Sequence, residues 1–576
     1  HDLVVNPRTG TAFLAVSADT QPMIVMVTGG NQLEVLNLKK CFFSKAVLDD
    51  APEDKVVKTG RRTRNPRQDA ITDLAFFENK LLVSGLRDAV ASSSVRELSF
   101  PFADQERGIG VQIYHAAHGR EEETSAMRTF VPLMIDGEPT IDMLGVEPRR
   151  YGDYASKSYL IEKNEEAYRN VFTIHFPDEE REAARPLRQA PCYDRLKNLG
   201  AVFGQKFGWE RANFFATDGM EQKDDWSFRR SKWFDAIKKE CENVKKNVGL
   251  LDMTAFAKCR IKGPKAEEFL DYLVANKLPK KIGRINLCHA LNTKGGVHSE
   301  FTIMKEAENS YYLVSAGANL RLDHDWIQKW MPTDGSVIFE DLTNSTGVLV
   351  VAGPKARELM QKVSSDDFSN ENFKWLTAKN VNVGYAPVNA MRVNFVGELG
   401  WELHHPIEYQ NHIFDKLMEA GKDLGIKPFG IRAMNSLRVE KSYKLVGTEL
   451  SIEYSPYESG LDRFIHPNKG NFIGLEALNK WREKGFDNKL VTLEVHNTTD
   501  SDVLGNNPIY KDDKVVGRAT GGEYGFRLDK SIALAMVKPD LATVGEKLKV
   551  DILGKMYEAT ILEESPYDAE NKLLRA

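Results

Sequence analysis

The tetrapeptide Gly-Pro-Lys-Ala occurs twice, at residues 263–266 and 353–356, a shift of 90 residues. Each copy follows a strand-like run and leads into a segment whose apolar residues recur at helical spacing. In the first segment Ala266, Phe269, Leu270, Leu273 and Val274 fall at i, i+3, i+4, i+7 and i+8. In the second, Ala356, Leu359, Met360 and Val363 repeat the stripe. A helix with one apolar stripe must bury it, and a neighbouring sheet provides the surface. Proline suits the first helical turn, where the N–H it lacks is not needed. A glycine-containing hairpin follows each helix after an interval, at 291–303 and at 391–404. Two related α+β halves are therefore expected, joined about a pseudo-twofold. A cleft between such halves is a favoured place for a ligand.

The rest of the chain is organised around this repeat. Its 576 residues, 42% hydrophobic and 28% charged, allow several ordinary globular cores. A net charge of −5 argues against a nucleic-acid partner, which usually demands a basic excess. Cys41, Cys192, Cys241, Cys259 and Cys288 show no CxxC spacing and read as reduced thiols. No apolar run approaches the roughly 20 residues of a membrane helix, so no membrane partner is expected. The first residue is His1, and no basic-then-apolar leader follows it. The expected location is cytoplasmic, or the mitochondrial matrix in a eukaryote.

Four regions are expected. Residues 1–140 carry short apolar runs separated by turns, without a long helical pattern, and read as an all-β, partial propeller-like segment. Residues 141–190 form a connector. Residues 191–481 are the α+β region that holds the repeat. Residues 482–576 return to short strands punctuated by Gly521, Gly522 and Gly545 and read as a small β-barrel.

Each hairpin puts a carboxylate on a strand just past its turn. Alternation places Phe301 and Ile303 on one face and Glu300 and Thr302 on the other. It likewise separates Trp401 and Leu403 from Glu402 and His404. On pattern alone the glutamates fit either the solvated side of an amphipathic hairpin or a shared cleft. In a cleft they could bind a nitrogen-rich ligand and serve as general acid–base groups. His175, His289 and His298 lack metal-ligand spacing and read as structural or surface histidines.

Several motifs bear a family resemblance. Residues 248–258 (Val-Gly-Leu-Leu-Asp-Met-Thr-Ala-Phe-Ala-Lys) resemble the opening signature of the glycine-cleavage T-protein fold. Residues 291–303 resemble its folate-contacting hairpin, 395–403 its Y-T-G-E-x-G-x-E motif, and 430–441 the helix that follows. Residues 184–188, 199–211 and 563–568 resemble the dimethylglycine and sarcosine dehydrogenase branch, and the likeness runs over about 142–576. The connector at 141–190 resembles the middle region of FAD-dependent amine dehydrogenases.

The resemblance implies a tetrahydrofolate-dependent one-carbon transfer module that forms 5,10-methylene-tetrahydrofolate from a small N-methylated amino acid. It implies Glu300 as the catalytic carboxylate, where many relatives carry Asp, with Ser299 and Phe301 lining the same contact. Glu402 is the implied pterin-holding glutamate, followed into the pocket by Leu403 and His404. Phe395 stands for the common tyrosine, Arg463 supplies a further folate contact, and Arg432 or Arg438 serves the folate glutamate tail, Arg438 being read equally as a structural ion-pair partner. Met434 stands where T-proteins place Arg.

FAD is expected from the resemblance, yet the sequence has no G-x-G-x-x-G fingerprint. The segment 108–113 has only the first two glycines. A flavin-containing subunit or domain is therefore an expected partner. The N-terminal segment is read either as a genuine rearrangement or as a propeller fragment joined in a chimeric chain. The alternative to an enzyme is a folate-binding or scaffold protein without turnover.

Overall fold

In the computed structural model, residues 154–576 are described without interruption. Ahead of them it describes Gly152 and, between 2 and 141, a set of strands with short connecting stretches. Cys41 lies outside the described residues. The chain divides into two units, His1–Glu147 and Pro148–Ala576.

The described strands of the first unit are antiparallel throughout, so the all-β expectation holds for them. Asp2–Val5, Ala12–Ala18, Gln21–Val27 and Leu33–Val35 form one four-stranded meander. Asp73–Phe77, Lys80–Arg87, Ser92–Ser99 and Ile109–Gly110 form another. Two such sheets among the described residues fall short of the roughly four to eight blades of a propeller.

The second unit holds the repeat, and each copy folds as strand, turn and helix: Ala257–Lys262 with Ala266–Leu273, and Thr346–Ala352 with Ala356–Val363. The first strand belongs to a five-stranded sheet ordered Ile285–Leu291, Val297–Ala307, Ser310–Ser315, Ala257–Lys262, Ile338–Asp341. The second belongs to a six-stranded sheet ordered Ala378–Val383, Ala386–Met391, Gly400–Pro406, Thr346–Ala352, Val248–Asp252, Ile426–Pro428. The apolar stripes pack as the spacing requires. Phe269, Leu270 and Leu273 meet Ile261, Phe301 and Ile303, while Leu359 and Met360 meet Val351, Trp401 and Leu403.

The two sheets exchange strands. Val248–Asp252 precedes the first copy but pairs with Thr346–Ala352 of the second. Ile338–Asp341 precedes the second copy but pairs with Ala257–Lys262 of the first. The repeated tetrapeptide seats both crossings. The Lys265 N–H donates to the Ser336 carbonyl at 3.2 Å, and the Lys355 N–H donates to that of Asn247 at 3.1 Å, just ahead of each crossing strand. Gly263 and Gly353 have φ of 124° and 134°, and a Cβ on either would lie 2.4 Å from the same carbonyl oxygen. Only glycine tolerates both that dihedral and that approach.

The remaining faces of the sheets meet. Ile285, Met304, Tyr312 and Val314 pack on Ala378 and Met391. Beside this seam, helices Phe234–Lys246 and Ile431–Val439 cover the same side of the six-stranded sheet, with Ile237, Val244 and Leu437 on Val348 and Val350.

The barrel expected at the C-terminus is closed and six-stranded: Lys489–Val495, Lys530–Val537, Lys514–Gly525, Pro508–Lys511, Lys547–Ile552 and Lys555–Leu562. The described part of the connector, residues 154–190, is docked rather than free. Helix Lys157–Arg169 is capped by the Ser156 hydroxyl. The Glu180 carboxylate accepts hydrogen bonds from the Gln205 N–H, Arg211 and Asn213 of the hairpin Ala201–Lys206/Trp209–Phe215. Cys192, Cys241, Cys259 and Cys288 are free and buried. Among the described residues no helix is long and apolar enough to cross a membrane, and no cluster of side chains has the makings of a metal site.

Candidate functional site

The first hairpin positions Glu300 opposite His289 in the strand register. The histidine is fully buried, and its Nε2 lies 2.8 Å from Glu300 Oε2, while the glutamate side chain keeps about 20% exposure. His289 Nδ1 has no partner among the described residues. The edge of this pair is closed by Phe464, its ring 5.5 Å from the imidazole.

In the second hairpin the strands Ala386–Met391 and Gly400–Pro406 are joined by an irregular loop at 392–399 rather than a tight turn. Its polar face is not solvated: Glu402 and His404 are both buried. His404 Nε2 stands 3.3 Å from Glu402 Oε2, and its Nδ1 stands 3.0 Å from the Tyr312 hydroxyl on the other sheet.

This last contact fixes which faces meet. Met304 is paired with Tyr312 and Thr302 with Val314, so Glu300, Thr302, Met304, Tyr312 and Val314 share one face. Glu402 and His404 share a face by the same alternation. Glu300 and Glu402 thus stand on the two faces that meet at the seam. Oε1 of each has no hydrogen-bond partner among the described residues. A carboxylate with a spare oxygen beside a buried seam suits a flat ligand that presents N–H donors. A cleft of about 540 Å³ opens along the same seam, lined by Tyr312, His404, Arg260, Glu306 and Asn389; neither Glu300 nor Glu402 lines it.

Several sequence expectations need correction. Ser299 and Phe301 lie on the helix-covered face, opposite Glu300. Phe301 is in the core, and the Ser299 hydroxyl donates to buried Asp323. Leu403 likewise belongs to the core with Trp401, so only His404 follows Glu402 to the seam. Alternation in a strand forbids adjacent residues from lining one contact with their side chains. Arg432 is held by Asp224 through two hydrogen bonds of 2.8 and 2.9 Å and lies 4.4 Å over the Trp233 ring. Arg438 is paired with fully buried Glu449 at 3.0 Å. Arg438 is thus the ion-pair partner that its second sequence reading expected, and Arg432 is engaged in the same way.

Phe395 sits in the loop at 392–399, with its ring 5.6 Å from that of Tyr443. Arg463 is exposed, its guanidinium 4.9 Å over the Phe464 ring that closes the His289 side. Burial pushes the Tyr443 hydroxyl up, and the positive charges of Arg527 and Arg463 oppose it.

The sequence reading took His289 as a structural or surface histidine and did not single out Tyr312. The pairing of His289 with Glu300 had an available signal, since the two face each other once the hairpin register is drawn from the turn. Tyr312 had none, because it stands 92 positions from its partner His404.

The interlocked two-sheet core with a closed barrel behind it defines the aminomethyltransferase class of fold. The model of the GCVT N-terminal domain matches residues 192–469, and that of the glycine cleavage T-protein C-terminal barrel domain matches 488–568. A model described as the FAD dependent oxidoreductase central domain matches 136–190. The chain belongs to the glycine cleavage T-protein family. It is 32% identical to an aminomethyltransferase of Caldanaerobacter subterraneus subsp. tengcongensis over 349 residues, 59% of this chain and 90% of that protein. It is 37% identical to the mitochondrial dimethylglycine dehydrogenase of Mus musculus over 434 residues, 75% of this chain and 50% of that protein. The chain therefore spans about half the length of the dimethylglycine dehydrogenases it matches. The crystal structure of the glycine cleavage system aminomethyltransferase T from Bartonella henselae superposes with a TM-score of 0.58 at 20% identity. The superposition covers 66% of this chain and 99% of that one, a likeness of fold.

Proposed function

We propose that residues 191–576 form a tetrahydrofolate-dependent one-carbon transfer module, fed by oxidation of a small N-methylated amino acid of the dimethylglycine or sarcosine kind. The observation that carries this reading is the placement of Glu300 and Glu402 on the two faces that meet at the seam, each with one carboxylate oxygen unclaimed. Tetrahydrofolate, when bound, supplies the pair of nitrogens that take up the carbon as 5,10-methylene-tetrahydrofolate. Glu402 holds the pterin by accepting its N–H donors, a charge-assisted contact. Glu300, more exposed and backed by His289, is the group that moves a proton at a folate nitrogen. The Phe395 ring offers an apolar face beside the loop at 392–399, and Arg463 supplies a positive charge at the rim.

Among the described residues no glycine-rich strand-to-helix turn is placed to seat a dinucleotide pyrophosphate. The match to an oxidoreductase central domain supports a flavin-containing domain or subunit as partner. The mitochondrial relatives point to the matrix as the compartment.

Isothermal titration with tetrahydrofolate tests the binding half of the proposal. Glu402→Gln is expected to weaken affinity by roughly 10–100-fold, the worth of a charge-assisted hydrogen bond. Turnover with dimethylglycine, in the presence of a flavin dehydrogenase, tests the other half. Glu300→Ala is expected to lower it by about 10²–10⁴-fold. Unchanged turnover removes Glu300 from catalysis, and binding without turnover in the wild type identifies a carrier or scaffold.

A further inference from the structure

A chain of three buried side chains crosses the seam between the halves. Tyr312, on the five-stranded sheet, meets His404 Nδ1 at 3.0 Å, and His404 Nε2 meets Glu402 Oε2 at 3.3 Å. The phenol and imidazole rings are nearly perpendicular, at 85°, which lets the hydroxyl lie in the imidazole plane. Burial pushes the Tyr312 hydroxyl well above its ordinary value, and the nearby Cys259 and Glu402 groups add to this, so it is a neutral O–H.

These contacts admit one consistent arrangement of protons for a neutral imidazole. The phenol donates to Nδ1, and the Nε2–H donates to the carboxylate. The opposite tautomer sets a bare Nε2 lone pair against a carboxylate oxygen, which is repulsive. An imidazolium uses the phenol oxygen as acceptor and leaves its O–H without a partner among the described residues. We infer that Tyr312 is a positioning residue for Glu402: the carboxylate already demands Nε2–H, and the phenol O–H on Nδ1 fixes the orientation of the His404 ring that presents it. The histidine claims Oε2 and leaves Oε1 for a ligand's N–H. The phenol comes from one half and the carboxylate from the other, so the carboxylate is correctly presented only when the halves are docked. Nothing in the local sequence of either strand encodes this.

The choice of ligand in the binding test rests on the folate reading above, but the tautomer does not. The full chain, labelled with 15N-histidine, is expected to show His404 as the Nε2–H tautomer, assigned by the signal lost in His404→Gln. Tyr312→Phe is expected to shift the Nδ1 resonance, which loses its hydrogen-bond donor while Nε2–H stays on the carboxylate, and to weaken tetrahydrofolate binding about tenfold, the scale of one buried hydrogen bond. His404→Gln, whose amide oxygen and N–H can bridge the same two partners, is expected to keep affinity within about twofold of wild type, whereas His404→Leu loses it. Should Tyr312→Phe fail to fold, the contrast between His404→Gln and His404→Leu decides. An Nδ1–H tautomer in the wild type, or full affinity in a folded Tyr312→Phe, overturns the inference. Absent binding of tetrahydrofolate to the wild type overturns the folate reading, and the 15N signal then decides the role of Tyr312 alone.

Discussion

Behind the Glu300 strand, the Asp323 carboxyl is enclosed with two hydroxyl donors, Ser299 and Ser315. Burial outweighs those hydrogen bonds and pushes its pKa from 3.8 up to about 7. The folded-state value is raised, so the protonated form is favoured by folding. Its contribution is complete below about pH 4 and is lost as pH climbs through about 7. The loss is on the order of a few kcal/mol. Asp323→Asn is therefore expected to flatten the fall in thermal stability between pH 5 and pH 8, read by unfolding scans across that range. Arg432 makes a different prediction. Its Asp224 partner is largely buried, so Arg432→Met strands a carboxylate and is expected to cost about 3 kcal/mol in denaturant titration. Tetrahydrofolate affinity in that variant should stay within about twofold of wild type, because the guanidinium is already fully engaged.

The strand-turn-helix unit is where the repeat acquires a mechanical role. The Gly-Pro-Lys turn both starts a helix and clamps the strand arriving from the other half, through the Lys265 and Lys355 N–H groups. Gly353→Ala forces a Cβ against the Asn247 carbonyl in a backbone region that alanine avoids, and is expected to cost about 1–3 kcal/mol or more. Gly335→Ala is the control: its φ is 77°, but nothing lies within 4 Å of the added carbon. That change should cost only the strain of the left-handed backbone, about 1–2 kcal/mol, with no added clash. Chemical denaturation of the two variants separates a clamp from an ordinary turn. Helix stripes and strand alternation were readable in the sequence because both are local periodicities. Residues 266–274 and 356–363 packed as spaced, and Trp401 and Leu403 parted from Glu402 and His404. What covers each face is set by elements distant in the chain, so the seam on the Glu402 side could not be told from solvent.

Across the whole second unit, one buried arginine ties the barrel to the repeat. Arg527 contacts Glu440, donates to Glu398 at 2.8 Å and the Val396 carbonyl at 2.9 Å, and lies 3.9 Å over the Tyr567 ring. Tyr567 in turn donates to Glu398, and Lys441 donates to the Tyr567 and Asp568 carbonyls. The loop at 392–399 that carries Phe395 is thereby held from the barrel side. Arg527→Met leaves two buried carboxylates without their cation and is expected to cost about 3–5 kcal/mol. Calorimetry should then show the barrel unfolding as a separate transition. A single unchanged transition would mean that apolar contact, not this ion cluster, couples the two parts.

The sequence by itself determined the two related halves, the all-β tail, the helix stripes, the alternation of the hairpins and the family motifs, since each is written in short-range spacing. The exchange of strands between sheets, the burial of Glu402, the pairing of Glu300 with His289 and the reach of Tyr312 to His404 were decided only by tertiary structure. These join residues that chain connectivity leaves independent. The energy of burying a polar group depends on which partner arrives beside it, and that partner is known only once the halves have closed.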